Sequence, residues 1–374
     1  MQHNNKLAIL APYPFSPPQS GGHKAVMAYV KYLVASWPDT ICISTTDNEP
    51  IEGIEIVSLF DDRKSKYFNP KVGWRIRQLL RERNICYLAL QHHYFGLLLL
   101  PFLLGLSIKV VVFSHNLEYQ RWRSIGKWWW PLMWLSEYVV YHWANAVAFI
   151  SIHDQAEAPQ RFGLSAKKCL SAPYPVDQSE SPATNSVICR AIRKAHEFDD
   201  SDKLLLFFGP QNYAPNLAAV EGIIHHIHPR LQVLADFKYR ILICGGGLPK
   251  KLDGFRHLTH QGIHYLGFVE NIEDYVAACD VVLNPISTGG GVKTKLVEAV
   301  AYGKTVVSYQ TGALGIDPKI CGEKLRQVAD NDYDAFAREI CLSISTIDLP
   351  TPPCFYSVHY GENAIREVKE WMIA

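Results

Sequence analysis

Three glycines, two lysines and one glutamate lie close together in the segment PISTGGGVKTKLVEAVAYGKTVV, residues 285–307. The apolar run DVVLNP that leads into it is typical of a buried strand, and VKTKLVEAVAY has the spacing of a helix that ends at Gly303. Glycines at a helix N-terminus let backbone N–H groups approach an anion, and the helix dipole favours negative charge there. The segment therefore predicts a site for a phosphate diester or a diphosphate, with Glu298 one turn deeper to accept hydrogen bonds from sugar hydroxyls.

The two lysines of this segment have different predicted roles. Lys293 lies in the first turn, within reach of an anion at the glycines, whereas Lys295 shares a helix face with Glu298. We expect Lys293 to be the closer phosphate partner and Lys295 mainly to orient Glu298. The alternative is a tight turn followed by a solvated Lys295–Glu298 pair, which contributes little stability. A run of three glycines is more than such a turn needs.

Other phosphate and metal motifs fit less well. A Walker A loop has glycine directly before its Lys-Thr pair, where this chain has Val292. The cluster GGGLP at 245–249 lacks the G-x-G-x-x-G pattern that opens a dinucleotide-binding helix. The histidines at 92–93 and 225–228 have no carboxylate or cysteine at ligand spacing, and the nine cysteines form no CxxC pair. We therefore expect no metal site.

Short apolar runs alternate with helical segments along the whole chain. The first half contains LAILAP, TICIST, IEIVSL, CYLALQ, KVVVFS and AVAFIS, and the second half contains LLLFFG, RILICGGG, IHYLGF, DVVLNP and TVVSYQ. Apolar strands that alternate with helices predict parallel sheets covered on both faces, with ligands at the carboxyl ends of the strands. The polar segment 176–203 contains no predicted strand and separates two α/β domains of similar size.

Length and composition agree with this organisation. A chain of 374 residues favours two domains, and 48% hydrophobic with 20% charged residues is typical of a soluble globular protein. The formal net charge of +1 provides no field that would recruit nucleic acid. The N-terminus MQHNNKLAIL lacks the pattern of a secretory leader, so we expect a cytoplasmic location.

Two segments raise the question of membrane contact. FGLLLLPFLLGLSIKVVVF (95–113) approaches the length of a membrane span, but Pro101, Gly105 and Lys109 favour a buried helix followed by a core strand. The next segment, RWRSIGKWWWPLMWLSEYVVYHW, mixes cations with tryptophans. That composition suits a helix pair at a membrane interface, which would place the protein peripherally at the inner face of the membrane. An aromatic surface packed on its own domain explains it equally well.

The block GFVENIEDYVAACDVVLNPISTGGGVKTKLVEAVAYGKTVVS resembles the donor-binding half of the family-4 retaining glycosyltransferases, also called glycosyltransferase group 1. Further segments of the family follow in the right order. LAPYPFSPPQSGGHKAVMAYVKYL resembles the first strand and glycine loop, VVFSHNLEYQR the histidine-bearing strand end, and PYPVD the segment before the linker. GPQNYAPN is similar to the first loop of the donor domain in one subgroup. The resemblance covers nearly the whole chain.

This resemblance implies the GT-B fold, in which two Rossmann-like domains face each other across a cleft and a C-terminal helix crosses back to the N-domain. It implies an acceptor-binding domain at 1–177 with 356–374 crossing back, a linker region at 178–199 and a nucleotide-sugar-binding domain at 200–355. The implied activity is retaining transfer of a sugar from a nucleotide-sugar to a glycan or lipid-linked acceptor in surface-polysaccharide assembly, without a metal or other cofactor.

The resemblance also assigns roles to residues of the donor domain. Glu298 would bind the ribose hydroxyls, the backbone near Phe268 and Val269 would flank the base, and the glycine turn would contact the donor sugar or its diphosphate. The predicted donor-binding residues of this domain are Gly209, Asn216, Val269, Gly290, Gly291, Val292, Lys293, Lys295 and Glu298. For Asn216 we favour a different role, a cap on a helix that begins at Leu217.

The first domain contributes fewer predicted residues. His115 would sit beside the reacting sugar, and Glu298 and His115 are the two predicted catalytic residues; the alternative for His115 is a polar cap on the next helix. Gly21 and Gly22 would approach the donor diphosphate. We expect Glu118 and Arg121 to form a local ion pair rather than acceptor contacts.

Two departures from the family pattern leave other functions open. The family often has a glutamate eight residues before the one that matches Glu298, and this chain has Gly290 there. The family commonly uses an arginine and a lysine in the first donor-domain loop, where this chain has Pro210 and Pro215-Asn216. A non-catalytic GT-B-like binding subunit is therefore one alternative, and an epimerase or phosphorylase that shares the fold is another.

Overall fold

The computed structural model describes residues 6–183 and 186–374. Residues 1–5, at the start of the segment in which we expected no leader, and residues 184–185 of the predicted linker lie outside the described residues. The chain divides into two compact units. The first unit comprises residues 1–177, 290–292 and 358–374, and the second comprises residues 178–289 and 293–357.

A seven-stranded parallel sheet forms the centre of the first unit. Its strands run in the order β3-β2-β1-β4-β5-β6-β7. They are β1 Lys6–Leu10, β2 Ile41–Thr45, β3 Glu55–Phe60, β4 Ile85–Gln91, β5 Lys109–Ser114, β6 Ala146–Phe149 and β7 Cys169–Ser171. The central strands are almost wholly buried because helices cover both faces of the sheet. Six of these strands match the predicted apolar runs, and the three-residue β7 was not predicted.

Six helices connect the strands of the first unit. They are α1 Gly21–Ser36, α2 Pro70–Glu82, α3 Gly96–Phe102, α4 Glu118–Ser124, α5 Trp130–Trp143 and α6 Ile152–Phe162. The predicted helix and core strand in 95–113 are α3 and β5, although α3 exposes Leu97 and so is only partly buried. No helix within 6–183 or 186–374 is long and apolar enough to cross a membrane.

A six-stranded parallel sheet forms the centre of the second unit. The strands run in the order β10-β9-β8-β11-β12-β13, which is the doubly wound order 3-2-1-4-5-6 when they are numbered within the unit. They are β8 Lys203–Phe208, β9 Tyr239–Cys244, β10 Ile263–Gly267, β11 Val281–Asn284, β12 Thr305–Tyr309 and β13 Leu325–Val328. The sequence predicted the first five. It missed β13, whose residues LRQV alternate apolar and polar over only four positions.

Eight helices lie between residues 186 and 359 of the described chain. They are α7 Ser186–Ala195, α8 Ala214–Gly222, α9 His228–Leu234, α10 Ile272–Ala278, α11 Thr294–Ala301, α12 Pro318–Cys321, α13 Tyr333–Ile344 and α14 Pro353–His359. The predicted linker thus contains a helix, α7, which contacts α10 through Cys189 Sγ and the carbonyl oxygen of Ala277 at 3.7 Å. A π-helical turn, Ile223–Ile227, joins α8 to α9.

The C-terminal tail returns to the first unit as two short helices, α15 Gly361–Ala364 and α16 Arg366–Ile373. The N–H of Gly361 donates to the carbonyl oxygen of Val176 at 3.0 Å, and Glu367 Oε2 accepts from the N–H of Ser171 at 2.6 Å. Val368 and Met372 are fully buried. The predicted crossing of the C-terminal helix back to the N-terminal domain is confirmed.

Candidate active site

The strand order of the second unit identifies where a ligand can enter its sheet. β8 and β11 are neighbours in the sheet, but the chain continues from β8 to β9 on one side and from β11 to β12 on the other. Loops leaving two such strands turn apart, which opens a crevice at their carboxyl ends. Gly209 follows β8 directly, and the segment 285–293 connects β11 to α11. The predicted donor-binding residues that follow β8 and β11 therefore lie at this switch point, whereas Val269 follows β10 and Gly21 and Gly22 belong to the first unit.

Backbone segments approach one another very closely beside Gly209. A Cβ atom on Gly245, which follows β9, would lie 2.1 Å from the carbonyl oxygen of Gly209, and a Cβ atom on Gly209 would lie 2.8 Å from Nδ2 of Asn216. Both glycines also have positive φ angles, 140° for Gly209 and 128° for Gly245. Gln211 Nε2 donates to the carbonyl oxygen of Gly209 at 2.6 Å. A side chain at either glycine would therefore push apart the backbone segments that line the crevice.

Asn216 supports the loop after β8 rather than capping a helix. α8 begins at Ala214, so the expectation that Asn216 caps a helix starting at Leu217 was wrong. Its buried side chain donates from Nδ2 to the carbonyl oxygen of Pro210 at 2.9 Å. Its Oδ1 accepts from Nζ of Lys295 at 3.4 Å. Asn216 thereby connects the first loop of the unit to α11.

Lys295 points to the end of β8 and not to Glu298. Its Nζ donates to the carbonyl oxygen of Phe208 at 3.2 Å and lies 4.1 Å from the centre of the Phe207 ring. Within the described chain its hydrogen bonds go to Phe208 and Asn216, so the hypothesis that Lys295 orients Glu298 was wrong. Lys295 and Glu298 both lie in α11, but the Lys295 side chain extends to partners on and after β8 instead of along its own helix. Burial, with a smaller contribution from Lys293, lowers the pKa of Lys295 to about 7.

The rest of the glycine segment is arranged as a turn before α11. Gly289 and Gly291 have φ angles of 93° and 71°, in the left-handed region that favours glycine. Gly290, Gly291 and Val292 follow one another in this turn, and Lys293 immediately precedes the first helical residue. Glu298 lies in the second turn of α11 and is partly exposed.

An exposed aromatic side chain stands at the end of β10. Phe268 is 81% exposed, and its Cβ lies 3.7 Å from the position that a Cβ atom on Gly246 would take. Val269, the next residue, is partly buried. The flat aromatic face of Phe268, next to the bare backbone of Gly246, provides a stacking surface for a planar ring.

The first unit brings a different set of polar side chains to its own switch point, between β1 and β4. Nε2 of His115, which follows β5, lies 2.8 Å from Oε1 of Gln91 at the end of β4. The ring of His115 stacks on His92 with centroids 4.2 Å apart, and Nε2 of His92 lies 2.8 Å from the hydroxyl of Tyr13. His92 holds this position with a φ angle of 77°. These residues form one buried cluster, which we call the His92–His115 cluster.

Both stacked histidines are neutral at physiological pH. Burial lowers the pKa of His115 to about 3. Burial, followed by the neighbouring His115, lowers the pKa of His92 well below its usual range. The neutral ring of His115 can take part in hydrogen bonds but does not titrate near pH 7.

Gly21 and Gly22 are the first two residues of α1 and not the end of the preceding loop. The helix begins there because the Ser20 hydroxyl accepts from the N–H of His23 at 3.3 Å. A Cβ atom on Gly22 would lie 3.5 Å from the Tyr13 hydroxyl, in ordinary contact. The N-terminus of α1 thus begins beside the His92–His115 cluster.

The predicted ion pair of Glu118 and Arg121 is present, with Nη1 of Arg121 3.2 Å from Oε2 of Glu118. Glu118 and Tyr119 also donate their backbone N–H groups to the buried carboxylate of Glu137 on α5, at 2.7 and 3.2 Å. Burial raises the pKa of Glu137 well above its usual range. Sequence reasoning missed Glu137 as a cap because it lies nineteen residues along the chain from Glu118.

Gln91, His92 and Tyr13 were also missed as candidate residues. The sequence contained a partial signal for Gln91, since a polar residue ends the otherwise apolar strand CYLALQ. The pair His92-His93 was considered only as a metal motif. The structure shows that His92 is instead a stacking partner of His115.

Two family models match separate parts of the chain. The model described as Glycosyltransferase Family 4 matches residues 13–180, and the model described as Glycosyl transferases group 1 matches residues 202–345. The chain therefore belongs to the glycosyltransferase family that these two models describe, family 4 or group 1. This confirms the family suggested by the sequence. No curated protein matches the chain.

Solved structures confirm the GT-B fold of this glycosyltransferase. HepE from Anabaena, solved in complex with UDP, is 13% identical, with a TM-score of 0.73 and coverage of 99% of both chains. The lipopolysaccharide outer core galactosyltransferase WaaB is 13% identical, with a TM-score of 0.66 and coverage of 98% of this chain and 99% of its own. UDP-GlcNAc 2-epimerase from Methanocaldococcus jannaschii is 12% identical, with a TM-score of 0.61 and coverage of 99% and 100%. At such identities the likeness is one of fold.

Proposed function

We propose that this glycosyltransferase transfers a sugar from a nucleotide-sugar to a glycan or lipid-linked acceptor, with retention of configuration at the anomeric carbon and without a metal ion or other cofactor. The arrangement at the switch point of the second unit carries the proposal: glycine backbone at the ends of β8 and β9, and Lys295 directed to the same place. Assembly of a surface polysaccharide is the proposed context, supported by the similarity to WaaB.

The donor is proposed to bind to the second unit. The ribose hydroxyls donate to Glu298, the base lies against Phe268 and Val269, and the diphosphate accepts hydrogen bonds from the N–H groups of the glycine turn, 290–292. Lys295 replaces the arginine and lysine that the family commonly places in the first loop, since its ammonium reaches the end of β8 from α11. UDP is the first nucleotide to test, because HepE was solved with it.

The reaction breaks the bond between the anomeric carbon and the diphosphate oxygen and forms a bond from that carbon to the acceptor oxygen on the same face. The proton of the acceptor hydroxyl passes to the departing diphosphate. We propose that His115 accepts a hydrogen bond from a hydroxyl of the transferred sugar, since Gln91 already engages its Nε2. Gly21 and Gly22 contribute N–H groups of the α1 N-terminus to the diphosphate.

A non-catalytic nucleotide-binding or glycan-binding subunit is the second candidate. The observation that favours it is Gly290, which stands where many members of the family have a glutamate. Such a subunit would bind a nucleotide-sugar but release no nucleoside diphosphate from it. Release of nucleoside diphosphate thus distinguishes the two functions, whereas binding of the nucleotide-sugar does not.

We expect Glu298→Gln to weaken nucleotide binding about tenfold or more without loss of the fold. The amide keeps the shape of the side chain but removes the charge, and a hydrogen bond to a charged group contributes about 1.5–3 kcal/mol. Isothermal titration with UDP, and with the corresponding 2′,3′-dideoxy nucleotide, measures the effect. Glu221→Gln, at an exposed position near the end of α8, is the matched control. Unchanged affinity in a folded Glu298→Gln protein would remove Glu298 from the site.

A further inference from the structure

Three helices of the first unit form one continuous layer on its sheet, which we call the α2–α3–α5 layer. α2 packs on α3 so tightly that a Cβ atom on Gly73 would lie 2.5 Å from the ring of Phe102. α3 packs on α5 in the same way, since a Cβ atom on Gly96 would lie 2.4 Å from Cγ1 of Val140. The outer sides of the three helices therefore belong to one surface.

That surface exposes large apolar side chains. Trp128 is 81% exposed, Leu132 59% and Leu135 51%, and their spacing of four and three residues places them along one side of α5 and its approach. The opposite side of α5 is buried against the unit through Glu137 and Val140, among others. Further exposed apolar residues of the layer and the loops that join it are Trp74, Leu97, Leu104 and Ile125. A soluble monomer rarely exposes so many apolar side chains together.

The charges around these side chains are predominantly positive. Residues 118–143 contain three cations, Arg121, Arg123 and Lys127, and two buried acids, Glu118, which pairs with Arg121, and Glu137. Arg123 and Lys127 each lie over an indole ring, with 5.3 Å from Arg123 Cζ to the centre of Trp130 and 5.5 Å from Lys127 Nζ to that of Trp129. The cations of α2 are Lys71, Arg75, Arg77 and Arg81, against the single acid Glu82.

We propose that the α2–α3–α5 layer docks on the surface of an anionic lipid bilayer. Indole rings and leucines placed beside lysine and arginine fit the boundary between headgroups and acyl chains, where the apolar parts are buried and the cations reach lipid phosphates. The positive surface complements anionic lipids. Docking of this kind is interfacial, in agreement with helices too short to cross a membrane in the described chain. This inference does not depend on the proposed donor site.

Co-sedimentation with vesicles tests the proposal directly. We expect the full-length protein to bind vesicles of 70% phosphatidylcholine and 30% phosphatidylglycerol much more tightly than vesicles of pure phosphatidylcholine, and to bind less tightly as salt rises. The double variant Arg123→Gln/Lys127→Gln should lose about fivefold in affinity for each cation removed. The triple variant Trp128→Ser/Leu132→Ser/Leu135→Ser should bind these vesicles on the order of a hundredfold more weakly. Each substitution removes an apolar side chain that the membrane would bury.

A matched control keeps the test specific. Val233→Ser/Leu342→Ser removes comparably exposed apolar side chains from α9 and α13 of the second unit and should leave vesicle binding unchanged. Thermal unfolding verifies that each variant is folded. The proposal is overturned if the wild-type protein does not bind the anionic vesicles at physiological salt, or if the control reduces binding as much as the triple variant. It is also overturned if the triple variant only converts a dimer to a monomer, since the surface would then bind a second copy of the chain.

Discussion

Replacing Lys295 by glutamine is expected to weaken the binding of a nucleoside diphosphate by about ten- to a hundredfold while the affinity for the bare nucleoside changes little. The ammonium lies at the end of β8, beside Phe208 and Asn216, where the crevice of a doubly wound sheet receives phosphate. A hydrogen bond from an ammonium to a phosphate contributes about 1.5–3 kcal/mol. Isothermal titration with UDP and uridine separates the two affinities, because only UDP carries the charge.

Lys293→Gln is the matched control for this substitution. Lys293 precedes α11 and is partly exposed, so we expect its contribution to phosphate binding to be several-fold smaller. This order reverses the one that helical spacing alone suggested. If both variants bind UDP and uridine as the wild type does, neither lysine contacts the phosphate.

The pH dependence of binding gives an independent readout of Lys295. Its pKa in the free protein is lowered to about 7, and a bound diphosphate favours the charged form and raises that pKa. Affinity for a nucleotide-sugar, whose diphosphate diester keeps a constant charge in this range, should therefore fall about tenfold per pH unit above pH 7. Lys295→Gln should abolish this slope. A slope that survives in the variant would assign the titration to another group.

Replacing His115 by alanine is expected to lower turnover by about a hundredfold or more and to leave nucleoside diphosphate affinity within about twofold. The ring contacts the reacting sugar in the proposed mechanism and not the nucleotide, so the loss falls on the transition state. Because the pKa of His115 is about 3, protonation of this ring should cause no fall in turnover as the pH is lowered from 8 to 5. Release of nucleoside diphosphate measures turnover, and titration measures affinity.

Gln91→Leu is the companion variant for His115. Gln91 accepts from Nε2 of His115 and so fixes which ring nitrogen faces the substrate, which makes Gln91 a positioning residue. Turnover should fall in this variant too, by less than in His115→Ala, with affinity again unchanged. Equal losses of turnover and affinity in His115→Ala would make His115 a residue that binds the donor.

Most strands of both sheets were predictable because each is a short, largely apolar run followed by a turn or helix signal. LLLFFG and DVVLNP gave β8 and β11 to within one residue, and the glycine run gave the turn before α11. β7 and β13 were missed because three or four residues with mixed polarity carry no reliable period.

The direction of side chains at the site was less predictable. The role of Lys295 depends on Phe208 and Asn216, which lie 87 and 79 residues earlier in the chain and which helical spacing within α11 does not reveal. The contact between Gly209 and Gly245 joins the ends of two strands that are thirty-six residues apart in the sequence. Such contacts arise only when the sheet has formed, so no local pattern records them.

The same limit applies to the His92–His115 cluster and to Glu137. Each residue is unremarkable in its own segment, and its role comes from a partner on another strand or helix. The family resemblance supplied His115 and Glu298 as candidates. It gave no information about Gln91 or Tyr13, which hold the cluster together.

Incubation of the wild-type protein with a panel of nucleotide-sugars, followed by mass-spectrometric detection of the released nucleoside diphosphate, tests the central claim that this chain is an active glycosyltransferase. We expect one nucleotide-sugar of the panel, with UDP-sugars tested first, to lose its sugar slowly to water or rapidly to an added acceptor. Release should fall about a hundredfold or more in His115→Ala, and it should fall in Lys295→Gln when the nucleotide-sugar is below saturation. A nucleotide-sugar that binds tightly but is never cleaved, with or without glycan and lipid-linked acceptors, would contradict the account and favour the non-catalytic subunit.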